Sequence, residues 1–368
     1  MRLYRMELYK LMHGKFFLAG LPVILAVLLL YFAFVNVGDE RAVVNGKVYT
    51  GYEAVRENRE ITKEFTGPLD DETAEQIIEK YGFPSQVEEY CGGFRDENYL
   101  NGFVTEYLGN GYMRSWDDYK VSTELIPVAQ TDLGRAAETS GKEIILCYTK
   151  GWSALLDTLQ LGMILGSVLI LVSVSPVFAE ERQCRMSALL FTSEEGRDRD
   201  VTAKIAAAFT LTAAVYAAVV LSVFLSVGAV YGLEGGNCMT GIVAGSLNPV
   251  STVTMKPVLS FVLLSLGADA LALMSLCAVV LCVSAHYETS FYTVAVSGIV
   301  WVMPLLIRIM FDGLGYVVMC GTPLFLVMTG VLMDIYSILF IPAAVGTATL
   351  SFCTMNGRRT YMLSEGGR

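Results

Sequence analysis

Between Phe178 and Ile205 the sequence reads FAEERQCRMSALLFTSEEGRDRDVTAKI, the densest gathering of charge between two long apolar stretches. Glu180 and Glu181 come first, then Arg182 and Arg185. Met186, Leu189 and Leu190 follow, three and four residues apart, so on a helix they share one face. Gly196 stands where a helix terminator belongs, next to Arg197, and Lys204 opens the next apolar run. These groups suit docking rather than bond-making: an apolar ridge with charged flanks can seat in the groove of a soluble partner. The same residues would also suit a solvated loop lying on lipid headgroups.

One other position carries chemical potential. Asp269 lies about 13 residues into the apolar run Pro257 to Ala285, near mid-bilayer if that run crosses a membrane. A carboxylate there costs roughly 3 kcal/mol, so it should face protein or a water-filled path and is a candidate translocation-path residue. Arg308 and Asp312 are one turn apart and read as an interfacial pair. No G-x-x-x-x-G-K-[ST] loop occurs, so ATP phosphates have no cradle on this chain. The two histidines, His13 and His286, are far apart, and no metal site is expected. The eight cysteines include no C-x-x-C. Cys91 and Cys147 could pair or serve as small apolar fillers, and Cys277, Cys282 and Cys353 read as packing residues. Catalysis by the chain alone is not expected.

The elements that must position these groups are membrane spans. Hydrophobic residues make up 54% of the chain and charged residues 17%, too apolar for a soluble protein of 368 residues. Runs of about 20 apolar residues occur at Phe16 to Val37, Ser153 to Phe178, Lys204 to Tyr231, Pro257 to Ala285 and Thr289 to Ile309. The last stretch, Gly321 to Met355, has 35 residues. As one helix it would be roughly 52 Å long, against a hydrocarbon core of about 30 Å. The N-tail carries Arg2, Arg5, Lys10 and Lys15, and the C-tail Arg358, Arg359 and Arg368. Both should be cytoplasmic, which requires an even number of spans. The expectation is a re-entrant element at about 312–334 on the outer side and a sixth span near Ser337 to Met355.

The predicted fold class is therefore an all-α polytopic membrane protein. It has six transmembrane helices, both termini inside, and a mixed, largely helical extracellular domain between the first and second. The divisions are a cytoplasmic amphipathic helix (1–15), transmembrane helix 1 (16–37) and the extracellular domain (38–152). Helices 2–6 follow (153–355), with the inner loop at 179–203, and then a cytoplasmic tail (356–368). The long apolar run after residue 15 argues against a cleaved signal peptide. Residues 2–12 place Tyr4, Leu8, Leu11 and Met12 on one arc and suit the inner membrane interface. Residues 38–150 contain 22 acidic and 12 basic side chains, the whole of the chain's net charge of −10. There Asp70 should cap a helix over DDETAEQIIEKY that Gly82 ends. Its many tyrosines fit packing better than a ligand site.

The order and spacing of these parts resemble the permease subunits of ABC exporters of the ABC type-2 kind, common in Gram-positive bacteria. The resemblance rests on the amphipathic helix before span one, the large external domain between spans one and two, the F-A-E-E-R…L-L…G-R…A-K-I loop, and a broken element before the last span. It implies an ATPase-coupling loop carried by Glu180, Glu181, Arg185, Met186, Leu189, Leu190, Gly196, Arg197 and Lys204. It further implies separate ABC ATPase subunits that bind ATP and Mg, a second permease copy or paralogue, a bacterial plasma membrane location, and no nucleic-acid partner. The acids Glu194, Glu195, Asp198 and Asp200 depart from the family's usual basic pattern. A membrane-anchored receptor, or a secondary transporter using Asp269, are the alternative readings.

Overall fold

The computed structural model describes residues 2–84, 96–108, 124–184, 186, 198–243, 256–311, 317–318 and 322–364. In chain order its helices are α1 (Arg2–Met12), α2 (Lys15–Tyr31, continued by a π-helical turn over Phe32–Val37), α3 (Tyr52–Glu64), α4 (Asp71–Tyr81), α5 (Tyr99–Leu108) and α6 (Asp132–Ser140). There follow α7 (Lys150–Val174), α8 (Pro176–Gln183), α9 (Arg199–Val230), α10 (Val258–His286), α11 (Ser290–Met310), α12 (Thr329–Asp334) and α13 (Phe340–Ser364). Among the described residues five stretches are helical, long and apolar enough to cross a membrane: Lys15–Val37, Lys150–Gln183, Arg199–Val230, Val258–His286 and Ser290–Ile307. The chain is thus a helical, multi-pass membrane protein, and these five match the first five apolar runs of the sequence within a few residues.

The final apolar stretch is broken, one of the ways in which a run too long for a single span can be accommodated. A 3₁₀ turn over Pro323–Val327, then α12, then a second 3₁₀ turn over Tyr336–Ile338 precede α13. Residues 312–316 and 319–321 of the expected re-entrant element lie outside the described residues. Helix α13 extends past the predicted end of the span at Met355, so Arg358 and Arg359 of the tail continue the helix. Its threonines and serines dilute its apolar character. Their hydroxyls donate back to carbonyls one turn earlier, Thr347 to Ala343 at 3.0 Å and Ser351 to Thr347 at 2.9 Å, so they need no water.

The chain divides into two compact units. One comprises Met1–Leu28, Thr158–Val223 and Leu264–Arg368. Its helices approach closely through small residues: a Cβ on Gly162 would sit 2.5 Å from Val219 Cγ1 and 3.2 Å from Leu28 Cδ1. Helix α1 covers the arc expected of it, with Leu11 buried and Tyr4 and Leu8 half-buried, and the Tyr4 hydroxyl meets Thr210 Oγ1 at 2.9 Å. Between α7 and α8 the helix breaks at Ser175–Pro176, because proline lacks the N–H that would continue the ladder. The first N–H groups of α8 would be orphaned there. Ser284 of α10 supplies the cap: its Oγ accepts from Phe178 and Ala179 N–H, each at 3.1 Å, and donates to the Ser175 carbonyl at 2.8 Å.

The other unit comprises Leu29–Asp157 and Phe224–Leu263. A hairpin of Arg41–Val44 and Lys47–Thr50 turns on Asn45–Gly46, both with positive φ, the pair that matches strand twist in a two-residue turn. The α4 prediction is met in detail. Asp70 Oδ1 accepts from Thr73 N–H at 2.8 Å, and Gly82 ends the helix at φ 69°. The core packs Leu69, Ile77, Tyr81, Leu100, Phe103, Val104, Leu133 and Leu146 together with Met239 and Ile242. The last two come from the segment after α9, which the sequence reading left out of this domain. Trp152 Nε1 donates to the Glu234 carbonyl at 2.7 Å, and Arg59 pairs with Glu234 at 2.7 Å. The suggested Cys91–Cys147 pair is overturned: Cys147 bonds to Cys238, brought to it by this returning segment. Tyr81 and Tyr107 are buried, and the Tyr99 hydroxyl donates to the Cys147 carbonyl at 2.8 Å, so these tyrosines pack.

Candidate functional site

Helix α9 begins at Arg199, five residues earlier than its apolar run, and so places Asp200 and Lys204 on one face four residues apart. They form an ion pair. Lys204 is 1% exposed, and its Nζ also lies 3.2 Å from Glu181 Oε1 of α8 and 3.8 Å from Glu7 of α1. The second oxygen of Glu181 accepts from the buried Tyr361 hydroxyl of α13 at 2.7 Å. Lys10 reaches Glu181 at 4.0 Å from the exposed side. The Tyr361 ring has two further neighbours: Phe178 lies 4.5 Å away by ring centroid, and the Arg182 guanidinium lies 5.3 Å from the ring centroid. One buried ammonium and one phenol thus fasten four helices, α1, α8, α9 and α13.

The electrostatics are lopsided. Three carboxylates converge on Lys204, with Lys10 at the margin. Burial pushes the Glu7 carboxyl above the usual carboxylate range, an effect that the Lys204 and Lys10 charges partly offset. Breaking such a network by removing its buried cation strands several charges in a low-dielectric site, costing about 3–5 kcal/mol. The chemistry of the cluster is fastening: Lys204 is sealed from solvent, and its partners hold it by hydrogen bond and charge. Just outside, Arg358 of α13 pairs with Asp198 at the entrance to α9.

The predicted site residues separate into three groups. Glu181 and Lys204 are brought together and buried. Glu180, one residue before Glu181, is exposed, and Met186 lies beyond the end of α8 with 54% of its surface exposed. Arg185, Leu189, Leu190, Gly196 and Arg197 lie outside the described residues. The short helix expected to carry Met186, Leu189 and Leu190 lies, apart from Met186, outside the described residues; α8 itself ends at Gln183. The Arg308–Asp312 pair also falls outside what is described. Asp269 belongs to none of these contacts. It is 2% exposed on α10, and its Oδ1 has no hydrogen-bond partner among the described residues.

Sequence reasoning missed Glu7, Asp200 as a partner of Lys204, and Tyr361. Two of the three left a signal. Glu7 sits on the same arc as Tyr4 and Leu11, an acid on a face otherwise apolar, and Asp200 precedes Lys204 by one helical turn. Tyr361 left none, because its role depends on α13 continuing past the apolar run. Compared with known protein families, curated proteins and solved structures, the chain matches none of them.

Proposed function

We propose that the chain is the permease subunit of an ATP-driven ABC exporter in the plasma membrane, with both termini cytoplasmic, α13 as the sixth span, and residues 38–152 external. The observation that carries this reading is the fastening of α8 to α1, α9 and α13 through Glu181, Lys204 and Tyr361. The segment expected to meet an ATPase runs between α8 and α9. Any push on it therefore bears directly on a junction of four helices, with a break at Ser175–Pro176 able to act as a hinge. In this reading, ATP and Mg bind to separate ATPase subunits, and two permease chains, identical or paralogous, enclose the path. The sequence resemblance supplies the class, and the junction supplies a mechanical route for it.

A secondary transporter is favoured by one observation, the buried Asp269 with an unpartnered oxygen. The two readings part on a single experiment. The chain is purified with the ATPase subunits that accompany it, and ATP hydrolysis is followed for the native chain and for Leu189→Ala with Leu190→Ala. Each buried leucine is worth roughly 1.5–3 kcal/mol, so the double truncation should abolish copurification and permease-dependent hydrolysis while the chain stays folded. Transport by a monodisperse chain without any ATPase, abolished by Asp269→Asn, would sink the exporter reading.

A further inference from the structure

At the elbow between α1 and α2, a cavity of about 90 Å³ opens beside the α7–α8 break. Its walls include Glu7, Lys10, Phe16, Phe17, Ser173 and Glu180. This volume holds several waters' worth of a polar group, well above the minimum for one. Two observations set the chemistry of its occupant. Two carboxylates and one ammonium line it, so a group that carries both an ammonium and an anion finds a partner for each. Phe16 begins the first membrane run and is itself exposed, so the mouth adjoins the acyl-chain region.

We propose that this cavity binds the headgroup of an aminophospholipid. The ammonium would sit between Glu7 and Glu180, the phosphate toward Lys10, and the acyl chains along Phe16 and Phe17. Glu180 makes no ion pair among the described residues and is available for this role, whereas Glu7 is shared with Lys204 at 3.8 Å. A lipid held here wedges the elbow of α1 against α8, next to the Lys204 junction. This inference rests on the membrane placement of α2 and not on the exporter reading, so either can fail alone.

The test is native mass spectrometry on the full chain, delipidated in mild detergent and titrated with short-chain phosphatidylethanolamine, short-chain phosphatidylglycerol, or phosphoethanolamine. One phosphatidylethanolamine per chain should bind roughly tenfold more tightly than phosphatidylglycerol, and Glu180→Gln should weaken it roughly tenfold. Ser173→Leu, which fills the cavity, should abolish it, while Glu60→Gln on the other unit leaves it unchanged. If Ser173→Leu does not yield folded protein, the exposed Glu180→Gln decides. Equal binding of the two lipids, or full affinity in Glu180→Gln, overturns the site. Phosphoethanolamine binding as tightly as the intact lipid overturns the lipid assignment in favour of a free solute.

Discussion

The two compact units solve the same problem, holding distant segments of chain together, by opposite chemistry. In the unit of Leu29–Asp157 and Phe224–Leu263, an apolar core and a covalent bond do the work. Leu100, Val104, Leu133 and Leu146 are essentially inaccessible, and Cys147–Cys238 closes a separation of 91 residues. In the unit of Met1–Leu28, Thr158–Val223 and Leu264–Arg368, the segments meet through a buried lysine, three carboxylates and a phenol. Apolar packing and a disulfide are permanent fixtures. An ion-pair junction is held only as long as its buried ammonium keeps its partners, and replacing such networks with apolar groups often stabilises proteins. Charge at that place suits a junction that rearranges, while the other unit has only to endure.

The largest effect should come from removing the buried cation of the junction. Lys204→Met leaves Glu7, Glu181 and Asp200 without their shared partner, at a cost of about 3–5 kcal/mol. Size-exclusion of the detergent-solubilised chain should show loss of the monodisperse species. The second unit should survive, which non-reducing gels can read from an intact Cys147–Cys238 bond. Adding Glu181→Gln and Asp200→Asn to Lys204→Met should restore part of the loss, because neutral amides no longer need the ammonium. A loss undiminished in the triple variant would mean that Lys204 matters for its shape and not its charge.

Cutting the disulfide tests the other side of the comparison. Cys238→Ser should cost about 2–5 kcal/mol of that unit's stability, since a long loop in the unfolded chain is released. Arg59 and Trp152 would still hold Glu234, so the returning segment should loosen without detaching. Limited proteolysis should find new cleavage between residues 232 and 257, with the Lys204 junction and its α1 contact unaffected. Cys91→Ser should have no comparable effect on the Cys147 bond.

A smaller change should sharpen the idea of a hinge. Ser284→Ala removes the hydroxyl that caps α8 and leaves two N–H groups and one carbonyl unsatisfied near the Ser175–Pro176 break. The expected cost is about 1–3 kcal/mol, seen as a lower apparent Tm in detergent. Ser284→Thr, which keeps the hydroxyl, should recover most of it. If Ser284→Ala is neutral, water caps the break and the hinge does not depend on α10.

Much of this architecture could be read locally. Asp70, Lys80 and Gly82 announce α4 because caps are set by neighbours within four residues, and five membrane runs announce themselves by length and apolarity alone. Glu181 and Lys204 were legible as important, but not as each other's partners, because the sequence does not tell which face of α8 turns inward. Glu180 and Glu181 are adjacent and look alike in the sequence, yet one is exposed and the other buried. The partner of Cys147 was illegible for a related reason. Cys238 follows a complete membrane run, and only the tertiary return of that segment into the domain core, through Met239 and Ile242, brings it near. Tyr361 was hidden by the assumption that the last helix ends where its apolar residues do.

The smallest effect, and the most discriminating for the junction, concerns Glu7. Burial raises its carboxyl above the ordinary value of 4.5, so the folded chain holds that proton more tightly than the unfolded chain does. Stability linked to this group is therefore fully present below about pH 4.5 and declines as pH rises through the raised folded value. This is opposite in sign to a carboxylate whose charge is welcomed by its surroundings. Near neutral pH, Glu7→Gln should accordingly cost little, because the site already disfavours the charge and the amide can still hydrogen-bond. Thermal unfolding of the two chains across pH 4 to 8 should show the native chain losing apparent Tm with rising pH relative to Glu7→Gln. Were Glu7→Gln instead to destabilise strongly at pH 7 and more weakly at pH 4, Glu7 would be an essential counter-ion of Lys204. The junction would then need all three acids, and the surplus negative charge that makes it poised to rearrange would not exist.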